Sequence, residues 1–105
     1  MCSRSLIAAA AFLPVFAQTP EALSIVERRC LACHGAQTRF SGLDLSSLET
    51  ARKGGTRGAA ITPGSAESSL LFQRVRRGEM PPGNPLPGAE IETLKRWLES
   101  GAPWT

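Results

Sequence analysis

Side chains that bind metals through sulfur or imidazole nitrogen are scarce in this sequence. Its 105 residues include three cysteines, one histidine and two methionines, one of which is the initiator. A structural zinc site needs four ligands. Cys30, Cys33 and His34 have no fourth cysteine or histidine if the N-terminal segment that carries Cys2 is removed. Zinc binding is therefore a poor explanation of this cluster.

Long apolar runs and strand-like runs are also missing. The apolar stretch from Leu6 to Phe16 falls short of the ~20 residues that a membrane-spanning helix needs, and Pro14 interrupts it. No β-branched run precedes Cys30, which argues against a thioredoxin-like redox pair. The net charge is only +3, and the arginines are scattered without a recognition motif, so nucleic-acid binding is not indicated.

The most informative residues are Cys30, Leu31, Ala32, Cys33 and His34, which form a C-x-x-C-H motif. Two cysteines three positions apart share one face of a helical turn, where both can bond to one edge of a macrocycle. The adjacent imidazole can then ligate the iron. The motif predicts one covalently attached haem c, held by Cys30, Cys33 and His34. A structural disulfide in a haem-free interaction module is the competing explanation.

The N-terminus predicts export. Arg4 precedes the apolar stretch, and Val15-Phe16-Ala17 is typical of a signal-peptide cleavage site. We expect residues 1–17 to be a signal peptide and residues 18–105 to form a mono-haem cytochrome c domain without a transmembrane segment. Haem of this kind is attached outside the cytoplasm, so the mature protein is expected to be periplasmic or secreted.

The pattern of the remaining residues predicts an all-α domain of about four short helices, with long loops around the haem. Thr19 and Pro20 are typical of a helix start, and this first helix should run into the haem motif. Ser46, with an acid three residues later, predicts the start of a second helix, and Ser65 that of a third. Small domains bury a marginal core, so haem would supply apolar surface.

The later helices carry apolar stripes at helical spacing. Leu71 and Val75 predict the buried face of the third helix. The last helix presents Ile91, Leu94 and Leu98 on one face, and Trp97 is expected to pack between this helix and the first. Gly42-Leu43-Asp44-Leu45 is too short for a sheet, and it should place two leucines against the haem edge or the core.

Met80 is the candidate for the second iron ligand. It is the only methionine apart from the initiator, and it lies in a loop before two prolines that restrict the backbone. Histidine and methionine form a common axial pair in cytochromes c, and a thioether raises the reduction potential by favouring ferrous iron. The alternatives are a methionine that only fills the core, and an open or water-bound iron.

The chain resembles a planctomycete-type cytochrome c domain, a mono-haem, class I-like cytochrome, from about residue 26 to residue 104, which is nearly the whole of the expected mature protein. The resemblance rests on the haem motif together with segments that occur in order along the chain: Gly42-Leu43-Asp44-Leu45, Pro63-Gly64, Ser68-Ser69-Leu70-Leu71, Met80-Pro81-Pro82, Arg96-Trp97-Leu98 and Gly101-Ala102-Pro103-Trp104.

The resemblance implies thioether bonds at Cys30 and Cys33, with His34 as the proximal and Met80 as the distal iron ligand. Two departures affect loops rather than ligands: Ala59 stands where the family often has proline, and Pro87-Gly88 replaces a polar helix cap. Four cations lie in loop-rich stretches where one could pair with a haem propionate, and the sequence does not choose among them. They are Arg39, Arg52, Lys53 and Arg57.

These features predict an electron-transfer protein rather than an enzyme, because no acid-base or nucleophile constellation is present and no catalytic residue is assigned. Its partners would be periplasmic redox proteins, such as a dehydrogenase donor and an oxidase or reductase acceptor. The alternative is a haem-based gas sensor or a small haem peroxidase in which Met80 dissociates. Binding of carbon monoxide to the reduced protein distinguishes the two.

Overall fold

Helices separated by long loops make up the computed structural model, which describes residues 15–104. The four α-helices are α1 (Val15–Arg29), α2 (Leu48–Lys53), α3 (Leu70–Arg76) and α4 (Gly88–Glu99). A 3-10 turn spans Phe40–Gly42. Two isolated bridges, His34 with Arg39 and Gly55 with Gly58, are the only β pairings among the described residues. The predicted all-α class with about four short helices is confirmed.

The start of α1 differs from the prediction. Thr19 does not cap the helix, because α1 begins at Val15 and contains Pro20 in its interior. The four residues before Thr19 are already helical, so its hydroxyl does not lie at a helix start where it could cap free N–H groups. That hydroxyl is buried and finds no hydrogen-bond partner among the described residues. Most of the predicted signal peptide, residues 1–17, lies outside the described residues.

The end of α1 agrees with the prediction, since the helix stops at Arg29, directly before the C-x-x-C-H turn. Its inner face carries Ile25 and Val26, which are 1 % and 2 % exposed. α1 packs against α4, and both helices contribute to one hydrophobic core. None of the helices within residues 15–104 has the length and hydropathy that a membrane crossing requires.

Trp97 is fully buried in the core, as predicted for a residue packed at the helix contact. Its indole N–H donates to the carbonyl of Pro103 at 2.8 Å. The ring of Trp104 lies 5.4 Å away, centroid to centroid, and is tilted by 56°. Leu94 and Leu98 are also fully buried, and Ile91 packs against the core. The predicted apolar face of the last helix is confirmed.

The start of α2 lies one residue later than predicted. Ser47, and not Ser46, caps the helix by accepting a hydrogen bond from the Thr50 N–H at 3.2 Å. The reason is that the backbone N–H of Ser46 already donates to the side chain of Asp44 at 2.9 Å. This Asx-type turn holds Ser46 outside the helix. The helix ends at Lys53, before the paired glycines Gly54 and Gly55.

The start of α3 also lies later than predicted, at Leu70 rather than next to Ser65. The hydroxyl of Ser69, which is fully buried, donates to the Ser65 carbonyl at 2.7 Å and accepts from the Thr62 N–H at 2.9 Å. These bonds keep residues 62–69 in a loop. Leu71 and Val75 are buried, so the predicted apolar stripe of α3 is confirmed.

Candidate haem site

The C-x-x-C-H motif forms a tight turn that continues from α1. The backbone N–H groups of Cys33 and His34 both donate to the Cys30 carbonyl, at 3.2 and 2.9 Å. Cys30 and Cys33 are half-buried free thiols and do not form a disulfide. Burial raises the pKa of the Cys30 thiol to about 11, against a smaller lowering by the nearby charge of Arg29. Cys30 is therefore a neutral thiol at pH 7.

The ring of His34 is held in one orientation by the backbone. Its Nδ1 lies 3.0 Å from the carbonyl oxygen of Phe40. A carbonyl only accepts, so the proton of this bond lies on Nδ1 and the lone pair of the neutral ring lies on Nε2. The His34 carbonyl accepts from the Leu45 N–H at 2.7 Å. This arrangement presents Nε2 as a metal ligand and fixes the imidazole plane, as an outer hydrogen bond does at many metal-bound histidines.

Phe40 itself is held by the motif that it supports. Its N–H donates to the Cys33 carbonyl at 2.9 Å, and its side chain is 60 % exposed. Next to it, Ser41 has a φ of 60°, and its carbonyl accepts from the Thr56 N–H at 2.8 Å. The 3-10 turn thus connects the histidine to the loop after α2.

A cleft lies next to Cys30 and His34. Met80 lines the same cleft, although it follows α3 and is distant along the chain. The apolar side chains of its wall come from the segment after the 3-10 turn, from the loop before α3 and from α3: Leu43, Leu45, Ala60, Leu70, Leu71 and Val75. The predicted placement of Leu43 and Leu45 against the haem edge or core is confirmed.

The loop that carries Met80 is fixed to the end of α3. The Arg74 carbonyl accepts from the Glu79 N–H at 2.9 Å and from the Met80 N–H at 3.4 Å. The Arg74 side chain also contacts this loop, with Nε 3.4 Å from the Glu79 carboxylate. Met80 is half-buried. Its thioether therefore belongs to a tethered loop next to the same cleft as the imidazole.

Close backbone packing forms another part of the cleft wall. At Gly55 a Cβ would overlap the carbonyl oxygen of Ser41, and at Gly54 it would overlap the carbonyl of Gly58. Gly54 also has a φ of +79°, a conformation that L side chains rarely adopt. The paired glycines thus follow the end of α2 and also bring two loops together.

The segment between His34 and α2 carries a buried acid. Asp44 is 5 % exposed. Hydrogen bonds from the side chain and the backbone of Ser46 hold the pKa of Asp44 below its usual range, and Arg39, 3.7 Å away, acts in the same direction. The ionised carboxylate therefore stabilises the bend that places Leu43 and Leu45 at the cleft.

The residues of this site fit a haem group. The cleft brings together a thiol, an imidazole with a free Nε2 and a thioether, and much of its wall is leucine and valine. An imidazole and a thioether are the donor types that ligate haem iron in cytochromes c, a thiol of this motif is the group that bonds to the edge of the macrocycle, and an apolar wall suits that macrocycle. Of the four cations considered from the sequence, only Arg57 lines the cleft. Arg74 also lines it.

Together the all-α fold and the C-x-x-C-H turn beside an apolar cleft define a small cytochrome c-like domain. The family model described as planctomycete cytochrome C matches residues 30–84, just over half of the chain. The chain belongs to this family, as the resemblance predicted. Neither the search of curated proteins nor the search of solved structures found a significant match.

Proposed function

We propose that this protein is an exported mono-haem c-type cytochrome that carries single electrons and is not an enzyme. The observation that carries the proposal is the meeting of Cys30, His34 and Met80 at one cleft. Membership of the planctomycete cytochrome C family supports haem binding and electron transfer. When bound, haem supplies the one-electron Fe(II)/Fe(III) couple.

Each donor has one role in the proposal. Cys30 and Cys33 hold haem c through thioether bonds, and His34 supplies Nε2 as the proximal ligand. Phe40 keeps the imidazole oriented through its carbonyl. Met80 supplies the distal thioether, and the bonds from its loop to Arg74 limit how far it can move.

The apolar wall serves electron transfer by excluding water. Leu45, Leu71 and Val75 are buried and line the cleft. A haem site without water and with two protein ligands to the iron would rearrange little when the iron changes charge. The reorganisation energy of electron transfer would therefore be small. A sulfur ligand also favours the ferrous state, which raises the potential relative to a second imidazole.

The proposal includes export and redox partners. Residues 1–17 act as a signal peptide, and the mature protein works in the periplasm or as a secreted protein. Its partners are a dehydrogenase that donates electrons and an oxidase or reductase that accepts them. Sequence features of the N-terminus and the chemistry of covalent haem attachment support this part of the proposal.

The test of the proposal is covalent haem on the chain itself. The full chain is expressed in a host competent for cytochrome c maturation and stained for haem after denaturing electrophoresis. We expect a haem band that disappears in the C30S/C33S variant and persists in the matched control C2S, because Cys2 leaves with the signal peptide. An unstained wild-type band contradicts the proposal.

The competing function, a haem sensor or peroxidase in which Met80 leaves the iron, is tested on the same preparation. Reduced protein is mixed with carbon monoxide at neutral pH. A firmly held Met80 leaves no free position, so the spectrum should remain nearly unchanged, whereas the Met80→Ala variant should bind the gas readily. Equally rapid binding by both proteins favours the sensor or peroxidase.

A further inference from the structure

Two cations, Arg57 and Arg74, line the cleft that contains Cys30, His34 and Met80. Haem carries two carboxylates, which are ionised at neutral pH. A charge that leaves water is costly unless it finds a partner. The structure allows the two cations to be ranked as partners for a carboxylate.

Arg74 is already engaged, because its Nε lies 3.4 Å from the carboxylate of Glu79. Arg57 forms no ion pair among the described residues. The other cations considered from the sequence lie elsewhere: Arg39 pairs with Asp44 at 3.7 Å, and Arg52 and Lys53 line a separate surface groove beside α2. Arg57 is thus the uncommitted cation of the cleft wall.

The backbone that carries Arg57 is fixed. Arg57 and Thr56 are the central residues of a turn in which Gly55 and Gly58 exchange two hydrogen bonds, each of 3.1 Å. The Thr56 N–H donates to the Ser41 carbonyl at 2.8 Å, which ties this turn to the 3-10 turn. A side chain on a fixed backbone loses less conformational freedom when it binds a ligand.

We propose that Arg57 is the carboxylate-binding residue of this site and pairs with one haem propionate. The planar guanidinium of arginine matches a carboxylate and can donate two parallel hydrogen bonds to it. The inference rests on the proposed function, because it requires haem in this cleft. It selects one residue where the sequence left four cations open.

The test is the pH dependence of the midpoint potential of the haem-loaded protein. Pairing favours the ionised propionate, and the negative charge favours ferric iron, so the potential rises on acidification as the propionate is protonated. In Arg57→Gln the propionate pKa should be higher, and this rise should move to higher pH by about one unit. In the haem-loaded protein Cys30 is a thioether and His34 is an iron ligand, so the other ionisable groups at the cleft are Arg74 and its partner Glu79, and both are unchanged in the variant.

Arg52→Gln is the matched control, since it removes the same charge from the neighbouring helix α2 but outside the cleft. Its profile should overlay that of the wild type. Arg57→Lys keeps the charge and should give a smaller shift than Arg57→Gln. An Arg57→Gln profile that overlays the wild type, or an equal shift in Arg52→Gln, overturns the inference.

A measurement on the unsubstituted holoprotein covers the case in which Arg57→Gln does not mature. Both Arg57 and Arg52 are exposed in the protein alone. Phenylglyoxal should modify Arg57 several-fold more slowly than Arg52 when haem is present, because a carboxylate shields the paired guanidinium. Equal rates overturn the inference alone, whereas a wild-type chain without haem overturns both the inference and the proposed function.

Discussion

Replacement of Glu90 by glutamine should weaken the contact that anchors the C-x-x-C-H turn. Glu90 lies in the first turn of α4, and its carboxylate faces two arginines at the end of α1. The Arg29 Nε is 3.3 Å away and an Arg28 nitrogen is 3.7 Å away. Arg29 directly precedes Cys30, so this contact fixes the helix end from which the haem motif continues.

The expected loss follows from the burial of the pair. The side chains of Arg29 and Glu90 are 26 % and 21 % exposed. Exposed ion pairs contribute up to about 1 kcal/mol. The contact between Arg29 and Glu90 lacks hydrogen-bond alignment, so its partial burial should not raise its contribution above this range. We therefore expect Glu90→Gln to lower the free energy of unfolding by about 1 kcal/mol. For a domain of this size, that loss corresponds to a fall of about 4–8 °C in Tm.

Urea denaturation of the haem-loaded protein measures this loss. Glu92→Gln is the matched control, because it removes the ion pair between Glu92 and Arg96 within α4, where the side chains are 50 % and 56 % exposed. That pair is worth about 0.5 kcal/mol or less. A double-mutant cycle of Arg29→Gln with Glu90→Gln should give a coupling of about 1 kcal/mol. A coupling within the error of about 0.3 kcal/mol, or equal losses in Glu90→Gln and Glu92→Gln, would refute the reasoning.

Three further perturbations test other contacts of the site. Gly55→Ala should destabilise the holoprotein by about 1–3 kcal/mol, because the added Cβ overlaps backbone. At Gly88 an added Cβ would point into open space, so Gly88→Ala should stabilise the holoprotein by about 0.4–1 kcal/mol. Urea denaturation measures both changes. Asp44→Asn should lower stability at pH 7, because the lowered pKa of Asp44 means that the folded state stabilises the ionised carboxylate. The difference from wild type should vanish as the pH falls through this lowered pKa and the carboxylate is protonated. Glu79→Gln removes the ion pair through which the Arg74 side chain holds the Met80 loop. It should speed binding of carbon monoxide to the reduced protein by up to about five-fold, whereas the control Glu67→Gln should leave this rate unchanged.

Each of these predictions has an opposing result. Equal effects of the two glycine substitutions would remove the steric account of the loop contact. A stability difference for Asp44→Asn that stays constant while the carboxylate is titrated with acid would contradict a role for the ionised carboxylate. Glu67, in the loop before α3, pairs with Arg76 of α3 at 2.8 Å, and this ion pair does not involve the methionine loop. If Glu67→Gln speeds gas binding as much as Glu79→Gln does, a general loosening of α3 is the cause.

The interiors of the helices could be predicted from the sequence because their apolar residues recur at helical spacing. Leu71 and Val75 in α3, and Leu94 and Leu98 in α4, are buried as that spacing indicates. The helix starts were predicted less well. A serine hydroxyl signals a cap only when no other group competes. Here two loop hydrogen bonds, from the Ser46 N–H to Asp44 and from the Ser69 hydroxyl to the Ser65 carbonyl, decide where α2 and α3 begin.

The candidate site was partly accessible from the sequence. The C-x-x-C-H spacing and the scarcity of other ligands directed attention to Cys30, Cys33, His34 and Met80. The hydrogen-bond partner of His34 is the backbone carbonyl of Phe40. Every residue has such a carbonyl, so no residue type in the sequence could indicate this contact. Likewise, the selection of one cation at the cleft depends on tertiary contacts.

The most direct test of the central claim is the optical spectrum of the oxidised holoprotein, compared with that of Met80→Ala. Ligation of haem iron by Met80 predicts a weak sulfur-to-iron charge-transfer band in the wild type that is lost in the variant, with covalent haem retained in both. A haem-loaded wild-type protein without this band would contradict His34/Met80 ligation, and with it the assignment as an electron carrier.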